Sequence, residues 1–279
     1  MTSYKSISSI VLLSATLLGV SNANASIIAS PATIIHEVNV NFDTADELRP
    51  TVDDFRDILG PLNANAPVNG DPNGRRQIDW DAAPDSISDP NPFPGDFFNG
   101  DSAPRARGIE FRETGDTTGF ELSATEASGI DPLFGLPTDF QAFSAERIFR
   151  QVGGDTFDVL FFDPADQSTP ALSSGLGVVF LDVEVPDIAS MIFYDQYDNV
   201  LAERDVATGN DIGFSFLGLI FDAPTIARVS FTLGGGNVAM DDFIFGEPIA
   251  INEVPVPATA LLFMLGVAGV TARRVFKTH

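Results

Sequence analysis

The stretch Glu37-Val38-Asn39-Val40-Asn41-Phe42-Asp43 alternates polar and apolar residues without a break, so Val38, Val40 and Phe42 fall on one face of an extended chain. A repeat of two is the period of a strand, and a strand of this kind is half-buried. Further strands are expected at Gln77–Trp80, Ile109–Arg112, Gly119–Ser123, Arg147–Val152, Thr156–Phe162, Leu176–Val185, Ser190–Tyr194, Asp211–Leu219, Ile226–Leu233 and Val238–Phe245. Clusters of Gly, Pro, Asn and Asp separate them. The spacing predicts an all-β fold, an antiparallel β-sandwich or jelly-roll-like domain. One short helix is expected over Thr51–Leu59, with Thr51 and Asp54 at the N-cap and N3 positions, Phe55, Ile58 and Leu59 as its apolar stripe, and Gly60-Pro61 as its stop. A helix that short would plug one end of the domain.

The chain holds 24 Phe against three Tyr and one Trp. Phe contributes apolar area with no polar atom to satisfy, so this ratio fits a filling between two sheets; aromatic sugar-binding platforms draw more on Trp and Tyr. Two connections are long, Gly60–Arg75 and Asp81–Gly108, and loops of that length in a compact domain tend to be functional or mobile. The second carries Asp and Asn side chains beside Phe93, Phe97 and Phe98. Its plain reading is a surface loop pinned by those rings, and its functional reading is a ligand-binding or calcium-ordered loop with Trp80, Asp96 and Asn99 as contacts.

Both ends of the chain carry apolar segments with charged flanks. Lys5, the apolar run Ile10 to Val20 and the small-residue site Ala23-Asn24-Ala25 form a secretory signal peptide over residues 1–25. At the other end, Pro255-Val256-Pro257 precedes an apolar run from Ala258 to Ala272 and then Arg273-Arg274. That order resembles the PEP-CTERM sorting signal, with Val256 where Glu is usual. The resemblance covers residues 254–279. It implies an exosortase-like sorting protease and the secretion machinery as partners, an inner-membrane-anchored precursor held by its C-terminal segment, and a product at the cell surface or outside it. Extracellular polysaccharide belongs to the setting in which such signals occur. The segments Gly74 to Asp81 and Pro94 to Asn99 are similar to bodies attached to tails of this kind, which carry no activity over to this chain.

The body between the two signals, residues 26–253, is long enough for one large β domain. Without Lys5, Arg273, Arg274 and Lys277 it carries eleven Arg against 39 acidic residues, a net charge of −28. A field of that sign repels nucleic acid and attracts cations. The absence of Cys excludes disulfides and thiol chemistry.

Few residue sets could carry a reaction. His36 is the one His of the body, with no G-x-S-x-G motif and no Cys nucleophile beside it, so triad and zinc chemistry have no residues to use. A glycosidase needs only two carboxylates at a set separation, which 39 acids permit without indicating. Calcium, with its hard oxygen ligands, suits this composition better. Asp241 and Asp242 are adjacent in the last strand, so one of them points inward unless the strand bulges, and an inward carboxylate needs a cation or an Arg. This arrangement resembles jelly-roll carbohydrate-binding modules, where a structural calcium sits between the first and last strands; the resemblance implies Asp43, or Glu37, with Asp241 or Asp242 as ligands. The alternative is one exposed Asp and another that pairs with an Arg or caps a turn. The sequence therefore points to an exported, non-catalytic structural or interaction protein, with a calcium-dependent carbohydrate-binding module and a carboxylate-dependent glycosidase as the rival readings.

Overall fold

The computed structural model describes residues 32–234 and 238–251. The signal peptide expected over residues 1–25 and the sorting segment over residues 254–279, with Pro255, Pro257, Arg273 and Arg274, lie outside the described residues.

Two antiparallel sheets stack face to face, with elements numbered in chain order. The larger runs β1 (Ile34–Phe42), β11 (Phe214–Phe221), β8 (Gly175–Leu181), β13 (Ala239–Gly246), β5 (Phe149–Val152) and β4 (Gly119–Leu122), with β2 (Arg75–Ile78) also paired to β13. The smaller runs β10 (Val200–Asp205), β9 (Ala189–Tyr194), β12 (Arg228–Leu233), β6 (Thr156–Phe161) and β3 (Ile109–Glu113). A two-stranded ribbon, β7 (Ala171–Leu172) with β14 (Ile249–Ala250), completes the set.

Most expected strands are present within a few residues. Three strands were not expected: β7 and β14 have two residues each, and β10, with exposed Val200 and charged Glu203, Arg204 and Asp205, lacks a clean apolar alternation. It is an edge strand that buries only Ala202 fully.

The expected helix is present and ends where expected, but it starts six residues earlier. It spans α1 (Ala45–Leu59), and its N-cap is Thr44. Thr44 Oγ1 accepts from the Glu47 N–H at 3.3 Å and donates to the Glu47 carboxylate at 2.9 Å. This Thr-x-x-Glu box starts the helix upstream of Pro50, whose missing N–H and ring make it a poor interior residue; the cap and burial of Leu48 offset that cost. The helix does not plug an end of the sandwich. Leu48, Val52, Phe55 and Leu59 lay it across the outer face of the larger sheet, and Gly177 and Gly218, cross-strand partners in β8 and β11, make room for Phe55. A Cβ at Gly218 would stand 2.6 Å from the Phe55 ring and one at Gly177 2.7 Å.

The molecule thus has two cores. One lies between the sheets and contains Phe149, Phe157, Phe180, Phe231 and Phe243; the other lies between the larger sheet and a cover made of α1 and the segment around Phe140 and Phe143. Strands β8, β11 and β13 are buried on both faces, which is why they read as near-continuous apolar runs. Val38, Val40 and Phe42 do share a face, and it is the one under the cover.

Contacts tie the two sheets together on both flanks of the sandwich. On one flank Arg204 of β10 bonds Glu37 of β1 through Nε at 2.7 Å and Nη2 at 2.9 Å, and Asn39 reaches the Asp205 carbonyl at 2.8 Å. On the other, the long connection after Trp80 is no structureless loop: the Phe93 N–H bonds the Phe120 carbonyl of β4 at 2.8 Å, and the Phe111 N–H of β3 bonds the Gly95 carbonyl at 2.9 Å.

Candidate functional site

Strand β13 carries the charged groups that the rest of the fold converges on. Met240 pairs with Phe180 and Phe243 with Val178, so Asp241 and Asp242 together oppose one residue of β8. That is a β-bulge, and it breaks the alternation that would send one carboxylate into the inter-sheet core. Both side chains face the cover instead. The bulge falls where β13 changes partner, from β5 at Met240 to β2 at Phe243. The Trp80 indole N–H caps the Asp241 carbonyl there, at 2.6 Å.

The two carboxylates fasten the cover to the sheet. Asp241 Oδ2 accepts from the Phe143 and Ser144 N–H groups at 2.7 and 3.0 Å. The Ser144 hydroxyl lies 3.0 Å from Asp241 Oδ1 and 2.9 Å from Asp242 Oδ1, and its single proton serves one of them at a time. Asp242 pairs with Arg56 of α1, whose other guanidinium nitrogen bonds Asp53 at 2.7 Å. Asp241 and Asp242 are 0% and 2% exposed, with one guanidinium between them. Burial pushes the Asp241 carboxyl well above the usual carboxylate range, and the Asp242 charge adds to this. Burial also raises Asp242, against the pull of Arg56. Nearby Asp81, half-buried and bonded by the Arg147 N–H at 3.0 Å, is raised to about 6 by burial, with the Asp79 and Asp242 charges contributing.

A second charged station sits at the far end of β13. Glu247 and Arg76 are fully buried and bond through Arg76 Nε at 2.7 Å and Nη2 at 2.8 Å. Glu247 also accepts from the Gly70 N–H at 2.7 Å and the Asn63 amide at 2.8 Å, and Arg76 donates to the Ala106 and Val68 carbonyls. This pair escaped the sequence reading. Its signal was Arg76 on the same strand face as Ile78, where a core residue belongs.

The structure does not assemble the expected calcium set. Strands β11 and β8 lie between β1 and β13, three interstrand steps or about 14 Å. Asp43 instead accepts from the Asn210 amide at 2.6 Å, and Glu37 is paired with Arg204, so no direct ligation joins either to Asp241 or Asp242. Three other carboxylates do converge: one oxygen each of Asp182, Glu184 and Asp211 lie within 4.8 Å of one another, on the loops after β8 and before β11. Burial raises Asp182, and the Asp182 charge is the main cause raising Glu184. Such oxygens suit calcium chemically.

The expected ligand loop is also redistributed. Trp80 is 1% exposed, stacked on Phe149 with ring centroids 4.3 Å apart, so its ring is core and not a platform. Asp96 is exposed and turns the chain through an Asn99 N–H to Asp96 carbonyl bond of 2.9 Å, while the Asn99 amide holds the Gln167 carbonyl at 2.9 Å. His36 lies on the covered face of β1, its ring centroid 6.0 Å from that of Phe55. Asp241 and Asp242 share one hydroxyl and are sealed, which leaves no space between them for the substrate of a two-carboxylate glycosidase.

Neither a family model nor a curated protein matches the sequence. The crystal structure of the enzymatically active domain of tailspike protein 4 from bacteriophage CBA120 is 19% identical and covers 55% of this chain at a TM-score of 0.28. The match spans 20% of that tailspike chain, and a score so low assigns neither fold nor activity.

Proposed function

We propose that this chain is an exported, non-catalytic protein of the cell surface or extracellular matrix, with a structural or interaction role. One observation supports it above the others: the charged groups that are deeply buried are engaged in holding layers together. Asp241 and Asp242 bind the cover, and Arg76 and Glu247 bind the long connection before β2 to the end of β13. The acidic composition keeps such a body soluble outside a cell. Its partners in this reading are an exosortase-like protease, the secretion machinery and polysaccharide of the matrix, with the membrane engaged only by the C-terminal segment before processing. Among the described residues, no helix is long and apolar enough to cross a membrane.

The second reading, a calcium-dependent carbohydrate-binding module, draws support from the convergence of Asp182, Glu184 and Asp211, which replaces the set first expected. Cell fractionation with peptide mass spectrometry tests the main proposal. The expected product lies in the surface or medium fraction without its C-terminal peptide, and an Arg273→Glu, Arg274→Glu precursor is disturbed in both its membrane retention and its processing. Intact protein at the surface, tail attached, would contradict it.

A further inference from the structure

The outer face of the smaller sheet ends in a patch of aromatic and charged side chains. Tyr194 at the end of β9 pairs across the ladder with Arg228 of β12, and the Arg228 guanidinium lies over the Tyr194 ring, 3.8 Å from its centroid. Three groups hold that guanidinium in place: Ser230 Oγ at 2.6 Å, Asp158 at 3.4 Å and Asp198 at 3.1 Å. Beyond it, the β9–β10 turn is tied down by Asp195, whose carboxylate accepts the Tyr197 N–H at 2.8 Å, the Asn199 N–H at 2.9 Å and the Asn199 amide at 2.9 Å. This rigid turn presents Tyr197, which is 74% exposed.

We propose that Tyr197, with the Arg228–Asp158–Asp198 cluster beside it, forms a binding site for a neutral, hydroxyl-rich polysaccharide. An exposed aromatic ring on a pinned turn offers contact area at low entropic cost, because the backbone beneath it is already ordered. Sugar hydroxyls both donate and accept, which matches carboxylates alternating with a guanidinium. Charge selects against the other polymers. Around Arg228 stand Asp158 and Asp198, while Arg112, in line with Asp158 across the ladder, is itself paired with Glu110 at 2.9 Å. The patch is therefore net negative on a strongly negative molecule, so a uronate, sulfate or phosphate polymer is repelled.

This site gives the interaction role its ligand class and rests on that role, yet binding by the isolated protein is measured independently of export. The protein recovered from cells is run through native gels containing galactomannan, dextran or hydroxyethyl cellulose as neutral probes and alginate as the anionic one, at matched ionic strength. Retardation is expected with at least one neutral probe and not with alginate. Tyr197→Ala is expected to weaken retardation at least tenfold and Asp198→Ala several-fold, with Tyr197→Phe retaining most of it. Tyr197 is exposed, so its replacement leaves the fold intact, which a thermal melt checks. No retardation by any neutral probe, equal retardation of Tyr197→Ala, or retardation by alginate as strong as by the neutral probes would each overturn the proposal. Failure of export with binding intact would leave this site standing and remove only the localisation.

Discussion

The two ends of β13 solve the same problem, a carboxylate in a dry place, in different ways. Glu247 meets Arg76 one to one, and its oxygens take further bonds from Gly70 and Asn63, so charge and hydrogen bonding both balance. Asp241 and Asp242 are two acids with one Arg, and that Arg is shared with Asp53. Burial at that end lifts both carboxyls toward their protonated forms, while the Ser144 hydroxyl and the Phe143 and Ser144 N–H groups hold them in place. The comparison teaches that a buried pair is fixed by partners where charges match and becomes responsive to pH where they do not.

The largest effect is expected at the balanced end. Glu247→Gln or Arg76→Met strands its partner in a water-free site and should cost about 3–5 kcal/mol of stability, seen as a fall in the denaturant midpoint. If either variant lost less than about 1 kcal/mol, the pair would not be a fastening point and the contrast would collapse. Next comes the cover itself. Gly218→Ala puts a methyl group against the Phe55 ring and should cost about 1–3 kcal/mol, and a double variant with Phe55→Leu should recover part of that loss. Equal losses in the single and double variants would show that the helix does not rest on this glycine pair.

At the unbalanced end the effect of a conservative change is smaller and of another kind. Asp241→Asn keeps an oxygen for the Phe143 and Ser144 N–H groups and supplies its own N–H to Asp242, so the cost at neutral pH should be under about 1 kcal/mol. The smallest effect is expected at the open cluster of Asp182, Glu184 and Asp211. Calcium at a free concentration equal to its dissociation constant would stabilise the fold by about 0.4 kcal/mol, and more than magnesium does at equal ionic strength. Asp182→Asn with Asp211→Asn should erase that difference; equal responses to the two ions in the parent protein would leave only an acidic surface.

Much of the fold was legible because strands exposed on one face announce themselves by alternation, as β1 does. The bulge was not. Asp241-Asp242 reads as a single inward carboxylate until the partner change of β13 from β5 to β2 is known, and that is a property of the whole sheet. Trp80 was likewise misplaced, because one aromatic at a strand end looks the same whether it faces solvent or five packed rings. The helix start, by contrast, was written in Thr44 and Glu47 and was obscured only by Pro50. The patch at Tyr197 depends on Arg228, Asp158 and Asp198 meeting from three separate segments, which no local pattern specifies.

The central claim, that Asp241 and Asp242 form a proton-holding fastener, is tested most directly by thermal unfolding from pH 4 to 8 in the parent protein and in Asp241→Asn. A carboxyl raised in the folded state contributes stability that is complete below the ordinary carboxylate range and is lost as pH rises through the raised value; for Asp81 that value is about 6, and for Asp241 it also lies well above the ordinary range. The parent should therefore lose stability steadily as pH rises from about 4 through 6 and beyond, in part from self-repulsion of its acidic surface, which both proteins share. Asp241→Asn should show a clearly shallower slope. Parallel profiles, or a parent that gains stability with rising pH, would contradict the account.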